Sequence, residues 1–276
     1  MRGASSRRRS VYEDQGYLLV PGVLPADDLD AICAEMDAVA EVLESRRGSL
    51  EAAWPGTYRH HMADDLDPDA FRCDSIHDVQ RYSARMTRLI TDPRIVELFV
   101  DLIGPNVALH HTKYHAKPPQ TGAPFPLHQD YRYFPHARHS MMLGALFLDD
   151  SSEENGCLGV VPGSHRGGIL PVVGPGEKYL DPAAHPLDSL TLLPASRGSM
   201  LFFNYLTVHG STANRSNAVR RILFIQVRDP EDRPTEKIHL SHAQGMMLAG
   251  VDPRRSSNQR ATAPSLGRDA GEETPT

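Results

Sequence analysis

Three side chains in this sequence have the types and spacing of a metal-binding group. His128 and Asp130 are two residues apart, and in an extended segment such side chains point to the same face. His209 comes much later, after an apolar run at 200–203 with the composition of a strand. Two imidazoles and one carboxylate on one face of an ion leave three adjacent positions open, the arrangement of non-haem Fe(II) oxygenases. The alternative is a surface histidine beside an unrelated aspartate, which the His-x-Asp pattern alone does not exclude.

Polar residues that follow His209 extend this pattern. Ser211 and Arg220 lie two and eleven residues after it. A bidentate 2-oxo acid can take two of the open positions on such an iron and dioxygen the third. A guanidinium can then hold the far carboxylate through two parallel, charge-assisted hydrogen bonds. Arg220 and Arg221 are both candidates for that role. Adjacent strand residues face opposite ways, but Ile222 and Phe224 on one side and Leu223 and Ile225 on the other are all apolar, so alternation does not choose between the two arginines.

Three segments of the chain carry a resemblance to a known family. They run from His115-Ala-Lys-Pro-Pro to Pro135, from Glu154 to the Pro-Gly-Ser-His turn that ends at His165, and from Gly198 to Arg220. Together they resemble the phytanoyl-CoA dioxygenase family, which includes ectoine hydroxylase, over roughly residues 12–229. The resemblance implies a double-stranded β-helix core, also called a jelly roll and similar to cupins. It further implies Fe(II) as cofactor, with 2-oxoglutarate and O₂ as cosubstrates.

The resemblance also implies roles for single residues. The positions that match the family's iron ligands are His128, Asp130 and His209. Arg220 matches the family's 2-oxoglutarate arginine, and Ser211 matches the hydroxyl that assists this arginine. The His-to-Arg spacing of the family favours Arg220, so Arg221 is expected to be an outward-facing charge. In the related iron halogenases a small residue replaces the carboxylate and frees a site for chloride. The intact Asp130 therefore predicts hydroxylation.

Two further groups of residues are weaker candidates. His111, Lys113 and His115 alternate on one face of the run 107–117. Lys113 and His115 are candidates for binding 2-oxoglutarate and His111 for binding substrate, unless that face is a charged surface exposed to solvent. Further candidates for substrate contacts surround the metal pair: Gln129, Tyr131, Arg132 and Tyr133. Lys117 is expected to reach solvent at the end of a strand. His110 and His165 are expected to have structural roles.

The elements that would position these residues are mainly strands. After Pro105, short β-rich runs separated by Gly, Pro, Asn and Asp occur at 107–117, 142–148, 157–161, 190–193, 200–203 and 221–227. Before it, the apolar spacing predicts an amphipathic helix from Pro25 to about Ser45, and a second helix begins after Asp92 and ends at Gly104. We therefore predict a mainly β fold with flanking helices. A single domain is expected over 11–240, its helical part at about 11–104 and its jelly-roll core at about 105–230.

The ends and two internal stretches are not assigned to these elements. Residues 1–10 and 252–276 offer little apolar surface and are expected to be disordered. The stretch 46–72, which contains the aromatic and basic sequence WPGTYRHH at 54–61, is interpreted as a substrate lid or as a packed loop. The Pro- and Gly-rich stretch 171–186 is interpreted as a surface loop or a lid.

Composition excludes several classes of function. The net charge of the 276 residues is −6 without a long basic cluster, so a nucleic-acid partner is not expected and a small-molecule substrate is. No run approaches 18 apolar residues and no signal sequence is evident, which predicts a cytoplasmic protein with no membrane partner. Cys33, Cys73 and Cys157 do not form a disulfide framework. Oligomeric state does not follow from the sequence.

The predicted activity is Fe(II)- and 2-oxoglutarate-dependent hydroxylation of an unactivated C–H bond in a small organic molecule, with release of succinate and CO₂. A natural-product intermediate, an amino acid and an acyl thioester are the candidate substrate classes. The excess of Arg over the 4 Lys is typical of a GC-rich genome, where relatives serve secondary metabolism. Two alternatives stay open. One is desaturation, cyclisation or epimerisation with the same cofactors, and the other is a non-catalytic jelly-roll module that binds a metal or metabolite.

Overall fold

The computed structural model describes residues 2–45, 74–174, 176–236 and 241–254. The possible lid at 46–72, residues 237–240 of the predicted domain and the tail from 255 onward lie outside the described residues. None of the described helices is long and apolar enough to cross a membrane. In chain order the elements are α1 (Arg2–Gln15), β1 (Tyr17–Val20), α2 (Ala26–Ser45), β2 (Ser75–His77), α3 (Ala84–Ile90), α4 (Pro93–Ile103), β3 (Val107–Lys117), β4 (Phe125–His128), β5 (Met142–Phe147), β6 (Leu158–Val160), β7 (Thr191–Leu192), β8 (Met200–Asn204), β9 (His209–Ser211), β10 (Arg220–Arg228) and β11 (Met247–Ala249).

The strands form two antiparallel sheets. The larger sheet has the order β1-β8-β5-β10-β3-β11, with β2 also paired to β3, and the smaller has the order β4-β9-β6-β7. Long-range pairings dominate both sheets, as in the closed double-sheet architectures. The fold is mainly β with flanking helices and a jelly-roll core, which confirms the predicted fold class.

The helices cover one face of the larger sheet. Leu29, Ile32 and Met36 of α2 are buried in the same apolar cluster as Leu223 and Ile225 of β10. Helix α4 has the predicted ends, because the Asp92 side chain accepts from the Arg94 amide and Gly104 terminates the helix at φ 118°. The opposite face of the sheet is left for the smaller sheet and for the space between the two.

A close approach joins α4 to the sheet at Gly144 of β5. A Cβ atom at this position would lie 2.4 Å from Met200 Cε and 2.7 Å from Phe99 Cζ. Phe99 packs edge-on against Phe202, with ring centroids 5.3 Å apart. Any larger residue at 144 would therefore push α4 away from the sheet.

The prediction of a disordered N-terminus is wrong for residues 2–10, which belong to α1. Ser5 Oγ donates to Asp101 Oδ1 at 2.6 Å, and Arg8 Nη1 lies 2.8 Å from Asp101 Oδ2. Asp101 lies on α4, so the partners of this polar segment are more than ninety residues away in sequence. Local composition cannot reveal a helix that is stabilised by such distant polar contacts.

The register of β10 decides which way its two adjacent arginines face. Arg220 pairs with Lys117 and Arg221 with Ala116 of β3. Arg221 faces away from the smaller sheet and forms a bidentate pair with Asp149, with Nε–Oδ2 and Nη2–Oδ1 both 2.8 Å. Its Nη1 also lies 2.9 Å from Asp37 Oδ2 on α2. The residue faces outward as predicted, but its side chain is only 19% exposed, so it joins α2 to the sheet and does not simply meet solvent.

Arg221→Ala is expected to lower the free energy of unfolding by about 2 kcal/mol, because hydrogen bonds to a charged group contribute about 1.5–3 kcal/mol when partly buried. Urea unfolding of the two proteins measures the difference. Arg138→Ala is the matched control, since its pair with Glu231 is exposed and should contribute less than about 1 kcal/mol. Equal effects of the two substitutions would contradict this role for Arg221.

Candidate active site

The predicted metal-binding residues meet where the smaller sheet faces the larger. His128 ends β4, His209 begins β9, and the two residues are directly paired in the sheet. Asp130 begins a short 3₁₀ turn after Gln129, whose backbone is extended, so His128 and Asp130 point to the same side. Asp130 Oδ1 lies 3.7 Å from His128 Nε2 and 3.6 Å from His209 Nε2. All three residues are buried, and their candidate ligand atoms lie within 4.8 Å of one another.

Hydrogen bonds to the main chain orient both imidazoles. His128 Nδ1 donates to the Pro126 carbonyl and His209 Nδ1 to the Thr207 carbonyl, each at 2.9 Å. Each Nε2 lone pair is therefore directed at the cluster. Burial, and next the neighbouring His209, hold the pKa of His128 well below its usual value, which keeps this imidazole neutral.

The carboxylate of the cluster is oriented by a residue of the larger sheet. Gln226 Nε2 donates to Asp130 Oδ2 at 3.2 Å, which leaves Oδ1 facing the two imidazoles. Burial raises the pKa of Asp130. Two imidazole nitrogens and one carboxylate oxygen with an open side fit a divalent ion of the Fe(II) type.

A cavity of about 280 Å³ lies between the two sheets and reaches this cluster. Alternate residues of β3 and β10 face it, because side chains two apart in a strand share a face. Besides the three clustered residues, its polar wall is formed by His77, His111, Lys113, His115, Ser211, Arg220 and Gln226. Its mainly aromatic and apolar wall is formed by Phe125, Tyr133, Phe134, Leu143, Leu158, Tyr179, Phe203, Gly210 and Phe224.

Arg220 is buried at one part of the cavity wall. The residue is 1% exposed, and its Nε and Nη1 have no hydrogen-bond partner among the described residues. Burial lowers the pKa of Arg220 to about 10, so the guanidinium still carries its charge at neutral pH. A buried cation with unused donors fits a carboxylate ligand.

The prediction that Lys117 reaches solvent at a strand end is wrong. The residue is 3% exposed and does not reach solvent at the strand end. Its Nζ donates to Ser211 Oγ at 2.7 Å and to the Thr212 carbonyl at 2.6 Å. Burial, and then Arg220 opposite it in the sheet, lower the pKa of Lys117 to about 6. The signal was present in the sequence, since Lys117 continues the alternation of Lys113 and His115, but the following Pro-Pro suggested a strand end.

The weaker candidates divide into two groups. His111, Lys113, His115 and Tyr133 line the cavity, so the alternating face of β3 is directed inward. Gln129, Tyr131 and Arg132 are not part of its wall, so the cavity gives no support to the prediction that they contact substrate. Gln129 donates to the Gly168 and Leu206 carbonyls and accepts from the Leu170 amide.

The two other residues of this group also serve the surrounding structure. The Tyr131 ring packs against His139 and Tyr205. Arg132 Nη2 donates to the Leu170 carbonyl. Gln129 and Arg132 therefore hold the loop that follows residue 167, and Tyr131 packs against the segment around His139 and Tyr205.

Several cavity residues were not predicted. Tyr179 lies in the Pro-rich stretch 171–186, where Leu180 N donates to the Leu127 carbonyl at 2.9 Å and so attaches the loop to β4. His77 stacks on His111 with ring centroids 6.1 Å apart. No local motif marks these residues, because the turns that bring them to the cavity are long-range features. His165 is structural as expected, since its Nε2 donates to the Glu13 carbonyl at the end of α1.

Comparisons with known proteins agree on one family. Residues 12–222 match the family model "Phytanoyl-CoA dioxygenase (PhyH)". A probable alpha-ketoglutarate-dependent hypophosphite dioxygenase from Stutzerimonas stutzeri is 29% identical over 224 residues, which cover 78% of this chain and 75% of that protein. Peroxisomal phytanoyl-CoA dioxygenase from Rattus norvegicus is 27% identical over 230 residues, covering 79% and 67%. Among solved structures, this chain is similar to the non-heme alpha ketoglutarate dependent epimerase SnoN from nogalamycin biosynthesis, with a TM-score of 0.64 and 24% sequence identity over 97% of each chain. This similarity is one of fold.

Proposed function

Because this chain belongs to the phytanoyl-CoA dioxygenase family, we propose that it is an Fe(II)- and 2-oxoglutarate-dependent dioxygenase that hydroxylates an unactivated C–H bond of a small organic molecule. The reaction consumes the substrate, O₂ and 2-oxoglutarate and yields an alcohol, succinate and CO₂. The same cofactors with desaturation, cyclisation or epimerisation as outcome are the alternative.

One observation carries the proposal: a buried guanidinium with unused donors shares a cavity with a cluster of two imidazoles and a carboxylate. Arg220 supplies the first and His128, Asp130 and His209 the second. A ligand that chelates a metal at one end and presents a carboxylate at the other would satisfy both. This complete set also argues against a non-catalytic binding module.

The residues of the chain would bind and orient the reactants. His128, Asp130 and His209 would hold the iron, which when bound couples oxygen reduction to decarboxylation of 2-oxoglutarate. Arg220, with Ser211 and Lys117, would hold the far carboxylate. The aromatic wall around Phe125, Tyr133 and Tyr179 would exclude water from the reacting carbon.

The test is substrate-dependent succinate release by the full chain with Fe(II), O₂ and 2-oxoglutarate. Natural-product intermediates, amino acids and acyl thioesters form the panel. Succinate release with a product that is 16 mass units heavier supports hydroxylation, and a product two units lighter supports desaturation. If no compound of the panel stimulates succinate release, the result would favour the non-catalytic alternative.

Chloride and bromide are expected to leave the product unchanged, because the Asp130 carboxylate would be the iron ligand that a halide would have to replace. Product mass spectra in halide-free, chloride and bromide buffers measure this. Asp130→Asn serves as the control, since the loss of the carboxylate charge should abolish native oxidation while the fold is kept. A halogenated product from the unmodified chain would overturn the assignment.

Binding of 2-oxoglutarate at pH 7.5 is expected to take up protons. The pKa of Lys117 is about 6 in the free protein, and a carboxylate placed beside it and Arg220 would raise that pKa. The apparent affinity should then fall as pH rises above about 6. Calorimetry in two buffers of different ionisation enthalpy measures the uptake, which Lys117→Met should remove. Unchanged uptake in this variant would assign the proton to another group.

A further inference from the structure

A second cleft lies at the other end of β10. It has a volume of about 330 Å³ and is lined by arginines of three segments, Arg228, Arg233 and Arg254, together with Gln244 and Asp252. Arg228 is eight residues from Arg220, about 26 Å along an extended strand, so this cleft is separate from the candidate active site.

Arg228 is buried with part of its guanidinium unused. The residue is 7% exposed. Nη1 donates to the carbonyls of Asp229, Pro230 and Asp232, which closes the turn after the strand. Nε is buried and has no hydrogen-bond partner in the described part of the chain. Arg228 therefore keeps a charged donor for a further ligand.

Two acidic groups around the cleft already have ion-pair or hydrogen-bond partners. Asp252 pairs with Arg254, with Nε–Oδ1 at 3.1 Å. Asp232 accepts from the main-chain amides of Arg138 and Ser140 at 2.7 and 2.8 Å and from Ser140 Oγ. Arg233 lies at the exposed rim. Asp229, Asp232 and Asp252 lie close enough to Arg228 to offset part of its charge, but none of them bonds to its Nε among the described residues. This buried donor and the exposed Arg233 guanidinium thus remain to bind an anion.

An unused acceptor accompanies these donors. Gln244 Oε1 is buried and has no partner among the described residues. A buried acceptor of this kind favours a ligand that can donate a hydrogen bond to it. Hydrogen phosphate carries P–O⁻ acceptors and a P–OH donor, whereas sulfate at neutral pH has acceptors only.

We propose that this cleft binds an oxyanion that also offers a hydrogen-bond donor, namely hydrogen phosphate or a phosphate ester with a neighbouring hydroxyl group. The oxygens accept from Arg228 and Arg233, and the hydroxyl donates to Gln244 Oε1. The proposal is independent of the oxygenase activity, because the cleft shares no lining residue with the candidate active site.

Calorimetric titration of the full chain with inorganic phosphate, glycerol 3-phosphate and sulfate at equal ionic strength tests the proposal. Phosphate or glycerol 3-phosphate is expected to bind at least about tenfold more tightly than sulfate, since the unpaired Gln244 acceptor is satisfied only by the first two. The tighter of the two identifies the free anion or the ester as ligand. Sulfate binding as tightly as phosphate, or no saturable phosphate binding, would overturn it.

Variants locate the bound phosphate. Arg233→Ala should weaken phosphate binding by about fivefold, and Arg228→Gln by about 30-fold or more, as for a buried charged pair. Gln244→Leu should abolish the preference over sulfate. Arg215→Ala removes an equally exposed arginine elsewhere and should change nothing, and Arg220→Ala should also leave phosphate binding intact.

Arg228→Gln also loosens the turn after β10, so the two milder variants decide the outcome if this one does not fold. Phosphate affinity that is unchanged in Arg233→Ala, with the preference over sulfate intact in Gln244→Leu, would remove the site from this cleft.

Discussion

Replacing His209 by alanine is expected to abolish stoichiometric Fe(II) binding, and His128→Ala should do the same. Each imidazole supplies one of three ligand atoms that lie within 4.8 Å of one another, and two remaining ligands hold a labile divalent ion poorly. The loss should exceed the roughly 10–100-fold that removal of an outer-shell partner costs. Anaerobic metal analysis after gel filtration gives the iron per chain.

His115→Ala is the matched control for both variants. His115 lines the same cavity, but its Nδ1 lies 3.0 Å from Ser75 Oγ and it is not part of the cluster. The control should retain about one iron per chain. A His128 or His209 variant that binds iron as tightly as the unmodified protein would remove that residue from the ligand set.

Arg220→Ala is expected to raise the apparent KM for 2-oxoglutarate by about 30-fold or more, since loss of a buried, hydrogen-bonded charge pair costs about 2–5 kcal/mol. The two unused donors of Arg220 are what the carboxylate would bind. Titration of 2-oxoglutarate against succinate release measures the effect, and direct binding to the iron-loaded, anaerobic protein measures it without turnover.

Arg221→Ala is the companion variant, because Arg221 binds Asp149 and Asp37 on the other face of the sheet. Its KM for 2-oxoglutarate should change less than about twofold while its stability falls. Arg220→Ala should show the reverse, because no carboxylate of the described residues pairs with this buried guanidinium, so its removal breaks no ion pair there. A larger KM effect at Arg221 would mean that every inward and outward assignment along β10 is reversed.

The sequence was most informative where local chemistry and burial agree. The cap Asp92, the first-turn Pro93 and Gly104 bound α4 as predicted, and β3 has the predicted limits. The sequence also indicates the candidate metal residues, because their residue types restrict the chemistry that they can perform.

The remaining features depend on contacts that no local pattern encodes. Strands β4 and β9 have four and three residues, too short for a period of two to stand out, yet they carry His128 and His209. For Lys117 the following Pro-Pro suggests a strand end that reaches solvent, and its partner Ser211 is 94 residues away. The position of Gln129 beside the metal pair suggests a substrate contact, but the alternation that brings His128 and Asp130 together turns Gln129 to the opposite side.

The pairing of β1 with β8 limits when the larger sheet can form during synthesis of the chain. Tyr17 pairs with Phe203, and the Gly16 carbonyl accepts from the Asn204 amide and Thr207 Oγ1, just before His209. Strand β1 can therefore dock only after the 179 residues between Val20 and Met200 have been made. Such a non-local closure is slow, and until it occurs the edge of β8 is open to pairing with other chains.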